Sequence, residues 1–288
     1  MTVTDRAAAA APPVAGVRGG SDDLTDMLIS GPTEVHTRPW QQLTTLAERG
    51  VGKVIRNGEL IFAFVAPAFL AACFYLPLSS IMNRYPGVSY GQFLMPIIVL
   101  QSVGFSASSA AMRSALDGAE GINTRFRVLP MPAAVPMLAR LVTSAFLLSV
   151  SLACAAIAAL AIGWRPQGGV WGTVGVFGIA FVVGAAFALL ADGIGLAAGS
   201  PEATSQTMAL PTLILGMLST GFVPAWMFPS WIRGFVRNQP ISQFVDSMRA
   251  MDTGTATWRV MAPTVWWCLG LTLVAAVLVF WGSGKIRR

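Results

Sequence analysis

Few side chains in this sequence could perform acid-base, metal or nucleophilic chemistry. Its 288 residues include thirteen acids and one histidine, and that histidine, His36, lies outside every apolar run. Ser106, in the elbow-like step Gly104-Phe105-Ser106-Ala107, therefore has no imidazole base within reach to take its proton. Asp117-Gly118 begins like a lipid-headgroup transferase motif, but the further aspartates that would bind a metal do not follow. A phosphate-cradling loop needs Gly-x-x-x-x-Gly-Lys followed by Ser or Thr, whose hydroxyl holds magnesium. Gly52-Lys53 is followed by Val54, and Gly284-Lys285 by Ile286, with Val279 where the first glycine belongs. Cys73, Cys154 and Cys268 all fall inside apolar runs, which suits packing better than a disulfide or a metal. Asp192 is the one acid well inside an apolar run. It can cap a helix, pair with an inner-loop arginine, or carry a proton, and the lack of companion acids disfavours the last. The residues favour a conduit over a catalyst.

The elements that must position these groups follow from composition. With 55% hydrophobic and only 11% charged residues and a mean hydropathy of +0.65, the chain belongs in a bilayer, not in water. At about 20 residues per span the apolar share allows about seven helical spans. Six apolar runs are found: 59–80, 91–112, 137–163, 171–196, 207–223 and 262–283, the fifth short. The expected class is an all-α integral membrane protein with six spans. Residues 1–36, rich in Ala, Pro, Gly and Asp, read as a disordered cytosolic tail without the positive start and apolar run of a signal peptide. Residues 37–58 read as an amphipathic interfacial helix, and 59–288 as the membrane domain.

In the amphipathic stretch Trp40, Leu43, Ala47, Val51 and Val54 recur at helical spacing, while Arg49, Lys53 and Arg56 lie on the opposite face. That arrangement suits a helix at the inner membrane interface; packing on a soluble partner or a plain linker is the alternative, and Gly50 and Gly52 weaken the helix. Between the fifth and sixth runs, Pro224, Trp226, Phe228, Pro229, Trp231, Phe235, Pro240 and Phe244 make a segment too aromatic for a flexible loop and too interrupted for a span. Short re-entrant helices are expected there, provided that protein or water satisfies their backbone.

The net charge of +6 forms no stripe for nucleic acid; most Lys and Arg flank apolar runs, as loops facing anionic lipid do. With the N-terminus inside, thirteen of the nineteen cations fall on inner segments and six, Arg84, Arg165, Arg233, Arg237, Arg249 and Arg259, on outer ones. The even span count returns the C-terminus inside. Residues 117–132 join the second and third runs and mix Glu120, Arg125 and Arg127 with Phe126, Val128 and Leu129. A short helix there can plug into a cleft on a soluble partner and transmit a push; a solvated loop that only fixes topology fits the residues equally well. On the second run Ser102, Ser106, Ser109 and Arg113 share a helical stripe, with Gln101 and Ser108 beside it. Such a stripe lines a substrate path or, more commonly, lets helices approach closely.

Two stretches resemble the type-2 ABC exporter permeases. Gly221 and Pro224 end the fifth run, Trp226 follows, an Asn-x-Pro turn stands at Asn238 and Pro240, and Arg249 comes after it, as in that family's C-terminal signature. Gly121, Arg125, Arg127 and Pro130 are similar to the family's coupling stretch, an acidic residue, Gly, then Leu-Arg-x-x-Pro. The run from Phe235 to Phe244, Asn57-Gly58-Glu59 and Phe74-Tyr75-Leu76-Pro77 look most like actinobacterial daunorubicin-resistance-type permeases, which include exporters of polyketide drugs and polyketide-derived envelope lipids. The likeness covers residues 40 to 283. The sequence departs from it by placing Gln239 between Asn238 and Pro240, and by offering Asp117 and Glu120 where an acidic run is usual.

The resemblance implies a non-catalytic permease subunit without a cofactor of its own, in the plasma membrane with both termini cytosolic. It implies a second permease, expected to be a different chain, and two cytosolic ABC ATPases holding ATP and Mg. The cargo would be an amphipathic or hydrophobic compound, drug or lipid, moved outward. Asp117, Glu120, Gly121, Arg125, Phe126, Arg127 and Leu129 would couple to the ATPase, and Pro224, Phe228, Trp231, Asn238, Pro240 and Arg249 would form a re-entrant gate. Gln101, Ser102, Ser106 and Ser109 are the candidate path. The rival reading is an ion- or proton-coupled secondary transporter, which usually needs several intramembrane acids or broken helices in both halves; only Asp192 qualifies.

Overall fold

The computed structural model describes residues 38–82, 89–122, 131–132, 134–197 and 200–285. Among them the chain forms nine α-helices and no strand: α1 (Pro39–Arg56), α2 (Glu59–Met82), α3 (Tyr90–Ala119), α4 (Ala134–Ala161), α5 (Gly169–Ala197), α6 (Pro201–Met217), α7 (Ser230–Asn238), α8 (Pro240–Asp252) and α9 (Trp258–Lys285), with a 3-10 turn at Ala225–Met227. It is an all-α integral membrane protein, and the physical reason is that in lipid a helix satisfies its own N–H and C=O groups. Prolines inside α2, α3, α6 and α9 are tolerated because neighbouring helices support the freed carbonyls.

Five helices, α2, α3, α4, α5 and α9, are long and apolar enough to cross a bilayer. The fifth predicted run differs from expectation in place but not in length. Its helix, α6, has 17 residues and runs Pro201–Met217, about 26 Å at 1.5 Å per residue. It starts early because Ser200 caps it, Oγ accepting from Ala203 N–H at 3.4 Å, with Pro201 pre-set for the first turn. It stops early because the chain then passes close to α3: a Cβ on Gly221 would lie 2.6 Å from Ile97 Cβ. Hydropathy alone sees neither the cap nor the close approach.

α3 is the hub. It buries 78% of its apolar stretch, against 17% for α2 and for α9, and α2, α4, α5 and α6 pack around it, with α8 and α9 against α5. The main core joins Leu94, Ile98 and Val103 of α3 to Leu148, Val183, Phe244 and Met248. Small residues set the closest approaches: on α5, Gly184 faces Leu148 of α4 and Gly195 faces Ser114 of α3.

Candidate functional site

The end of the bundle that carries α1 gathers charge from five helices. Lys53 of α1 reaches Asp117 in the last turn of α3 at 3.9 Å, Arg113 of α3 pairs with Glu59 at the start of α2, and Arg140 of α4 pairs with Asp192 of α5 at 3.5 Å. Arg113 also donates to Ser144 Oγ at 3.3 Å, and Ser114 Oγ donates to the Asp192 carbonyl at 3.3 Å. Asp192 and Arg140 are largely buried, so their attraction is weakly screened, and neither charge could lose the other cheaply. Lys53, Arg113, Asp117, Arg140, Ser144 and Asp192 line a cavity of about 610 Å³, together with Arg49, Arg56 and Glu120.

α1 lies along α4 through Ala47 and Val54, which are buried. Between them Gly50 sits so close to Thr143 of α4 that any Cβ would strike its hydroxyl. The glycine that weakens a helix by propensity is thus the one that lets this helix dock. Trp40, at the other apolar end of the pattern, is 70% exposed. The cationic face, Arg49, Lys53 and Arg56, turns toward the cavity.

α3 ends at Ala119, capped by Glu120, whose N–H reaches Leu116 O, and Gly121 adopts φ 67°, a conformation that favours glycine. The coupling candidates Asp117, Glu120 and Gly121 therefore close the central helix. Arg125, Phe126, Arg127 and Leu129 lie outside the described residues.

On the flank of α3, a groove of about 370 Å³ opens between α2 and α6. Gln101, Ser102 and Ser108 of α3 line it, facing Pro67 and Leu70 of α2 and Thr212 of α6. Gln101 Nε2 has no hydrogen-bond partner. Ser102 and Ser108 donate to carbonyls one turn back, Ile98 O at 3.0 Å and Gly104 O at 2.9 Å. Ser106, though on the same stripe, is buried and absent from the groove wall, as is half-buried Ser109. The polar stripe thus splits between groove and helix packing.

At the opposite end, the segment after α6 folds as the short helices expected of it. Pro224 and Phe228 bracket the 3-10 turn, Trp231 of α7 is 81% exposed, Asn238 Nδ2 donates to Gly234 O at 3.0 Å, and Pro240 opens α8. Arg249 of α8 stacks on the Phe93 ring at 3.8 Å, donates to Phe93 O at 2.9 Å and Gly221 O at 3.4 Å, and pairs with Asp246 at 3.6 Å. Burial lowers its guanidinium to about 10, with Asp246 opposing the shift, so it stays charged at neutral pH. Arg233 donates to Trp226 O and Phe228 O at 3.1 and 3.0 Å.

Sequence reasoning did not identify the roles of several residues here. Gln239, noted only as a departure in spacing, is buried and donates through Nε2 to Leu215 O at 2.8 Å and Leu218 O at 2.9 Å, capping α6. Asp252 accepts from Trp164 Nε1 at 3.2 Å and from Gln92 Nε2, whose Oε1 accepts the Arg165 N–H at 3.0 Å, so α8 is tied to α3 and to the α4–α5 turn. The only signals were an acid and a glutamine beside aromatic residues, and these name no partner. Among the described residues no group of His, Cys, Asp and Glu could hold a metal ion.

An all-helical membrane protein with a lateral groove, a charge-linked amphipathic helix and a segment of short helices capped by Gln239 has the build of a transporter subunit. The family description "ABC-2 type transporter" matches residues 41–252, and the chain belongs to that family. It is 34% identical over 250 residues to the doxorubicin resistance ABC transporter permease protein DrrB of Mycobacterium tuberculosis, covering 82% of this chain and 86% of the relative. It is 28% identical to the daunorubicin resistance ABC transporter permease protein DrrB1 of Streptomyces coeruleorubidus, over 66% of this chain and 65% of that one. A probable doxorubicin resistance ABC transporter permease protein DrrC of M. tuberculosis is 25% identical, over 64% and 66%.

Proposed function

We propose that this chain is the permease subunit of an ABC exporter that moves an amphipathic or hydrophobic compound outward across the plasma membrane. It has no catalytic role; ATP and Mg belong to two cytosolic ATPase subunits, and a second, different permease completes the pathway. With α6 counted as a sixth crossing, the end of α9 falls on the α1 side, read as cytosolic from the Lys/Arg distribution.

The observation that carries this reading is the charge cluster. Three ion pairs, joined by the Arg113–Ser144 and Ser114–Asp192 hydrogen bonds, link α1, α2, α3, α4 and α5 near the point where α3 ends in Asp117, Glu120 and Gly121. A push delivered to residues 117–130 by closure of an ATPase dimer therefore reaches α3 and α2, two of the three helices that line the groove. The groove, open on its flank between α2 and α6, is the path for cargo, and the second permease closes it. Gln101 supplies an unpaired donor there, and the small hydroxyls add little polarity because their protons stay on their own helix. The α7–α8 segment is the outer gate. Asp192, held by Arg140, is structural, which removes the one acid available to a proton-coupled mechanism.

The test is co-purification and transport with a cytosolic ABC ATPase partner. Glu120→Arg with Phe126→Ala is expected to leave ATP hydrolysis measurable while transport falls to background. Unchanged assembly and transport in that double variant would sink the coupling assignment.

A further inference from the structure

The cavity at the α1 end has more cations on its wall than the ion pairs use. Arg113 is taken by Glu59, Arg140 by Asp192, and Lys53 is held loosely by Asp117 at 3.9 Å with 43% of its side chain exposed. Arg49 and Arg56 line the same space, both exposed, and no ion pair to either is found among the described residues. On one helix these three cations recur at i, i+4 and i+7, so their heads point into one region. Glu120 is the single cavity acid outside the ion pairs. The mouth of the cavity therefore presents net positive charge.

The surroundings of that mouth are apolar and uncovered. Ile55 precedes Arg56, and one turn beyond Asn57, which lines the cavity, α2 exposes Ile61 at 66% and Phe62 at 62%. A soluble anion would gain nothing from such neighbours, whereas a molecule with a phosphate joined to acyl chains would use both features. The docking of α1 on α4 through Gly50 fixes the cationic row over the cavity, so the site is built before any ligand arrives.

We propose that this cavity binds the phosphate headgroup of an anionic phospholipid from the leaflet against which α1 lies. Arg49 and Arg56 hold the phosphate, Lys53 turns to it from Asp117, and the acyl chains run along the exposed face of α2. The site is separate from the groove between α2 and α6 and does not depend on the export reading. An occupied site would bridge α1 to α2 and stiffen the junction at Asn57-Gly58, where Gly58 has φ 74°.

The experiment uses the full chain alone, purified in neutral detergent, so that failure of the ATPase-coupled reading cannot affect it. Native mass spectrometry compares adducts of phosphatidylglycerol and phosphatidylcholine with matched chains. The expected result is a clear preference for phosphatidylglycerol that falls by about thirtyfold in Arg49→Gln with Arg56→Gln, two cations each acting on one phosphate. The preference is retained in Arg49→Lys with Arg56→Lys, and in Arg259→Gln, an exposed cation at the far end. Circular dichroism confirms the helix content of each variant, and the two single Gln variants, each expected to lose part of the preference, replace the double if it does not fold. Equal binding of the two lipids by the unsubstituted chain, or a preference that survives the Gln substitutions, overturns the proposal. Displacement of phosphatidylglycerol by millimolar inorganic phosphate also overturns it, because the site would then be one for free phosphate.

Discussion

Four backbone carbonyls at the end opposite α1, those of Leu215, Leu218, Phe93 and Gly221, accept hydrogen bonds from two side chains, Gln239 and Arg249. Away from water an unpaired carbonyl carries its full desolvation cost. Gln239→Ala is therefore expected to lower stability by about 1–3 kcal/mol, and Gln239→Asn, too short to reach both carbonyls, should not rescue it. Thermal unfolding in detergent reads the loss, and an unchanged midpoint would show that water replaces the amide. Arg249→Ala is expected to cost about as much or more, since it also leaves Asp246 without its guanidinium. Arg249→Lys should fall between, keeping charge but not the planar fork that meets two carbonyls and lies on Phe93. The importance of Arg249 was readable from the family signature. That of Gln239 was not, because a single inserted residue reads as a spacing irregularity until the carbonyls it caps are seen.

Among the elements, α1 shows what periodicity can and cannot convey. The alternation of Ala47 and Val54 with Arg49, Lys53 and Arg56 gives a two-faced helix, and the structure has one. Periodicity does not say what the apolar face meets. Here it meets α4, through a glycine whose missing Cβ makes room for the Thr143 hydroxyl. Gly50→Ala is expected to lift α1 from α4 and raise amide hydrogen exchange across 39–56. Thr143→Ala in the same chain should restore part of the protection, since the nearest remaining atom, the residue 143 Cβ, would stand 3.2 Å from the new methyl. Equal protection in all three chains would mean that α1 is held by the membrane and not by α4. The 17-residue α6 is the matching lesson for the spans. Hydropathy puts its centre too late because Ser200 and Pro201 start the helix before the apolar run does.

Over the whole molecule, the same charges that set the expected orientation also connect the helices. Arg140 and Asp192 were each visible in the sequence, and an arginine partner for Asp192 was one of its readings; which arginine could not be known before α4 and α5 were placed side by side. Removing one member of a buried pair leaves the other charge uncompensated, and Asp192→Leu is expected to cost about 3–5 kcal/mol. Arg140→Met together with Asp192→Leu should recover most of that loss, measured as the unfolding midpoint and the yield of monodisperse protein. If Asp192→Asn instead leaves stability intact and abolishes transport, the residue carries protons and the structural reading fails.

The most direct test of the central claim is transport in proteoliposomes containing this chain, its partner permease and the ATPase. Accumulation of a fluorescent anthracycline is followed with ATP, with ATP and an ATPase-dead variant, and with an imposed proton gradient alone. The account predicts accumulation that requires ATP hydrolysis by the separate ATPase and persists when the gradient is collapsed. Accumulation driven by the proton gradient without the ATPase would contradict it.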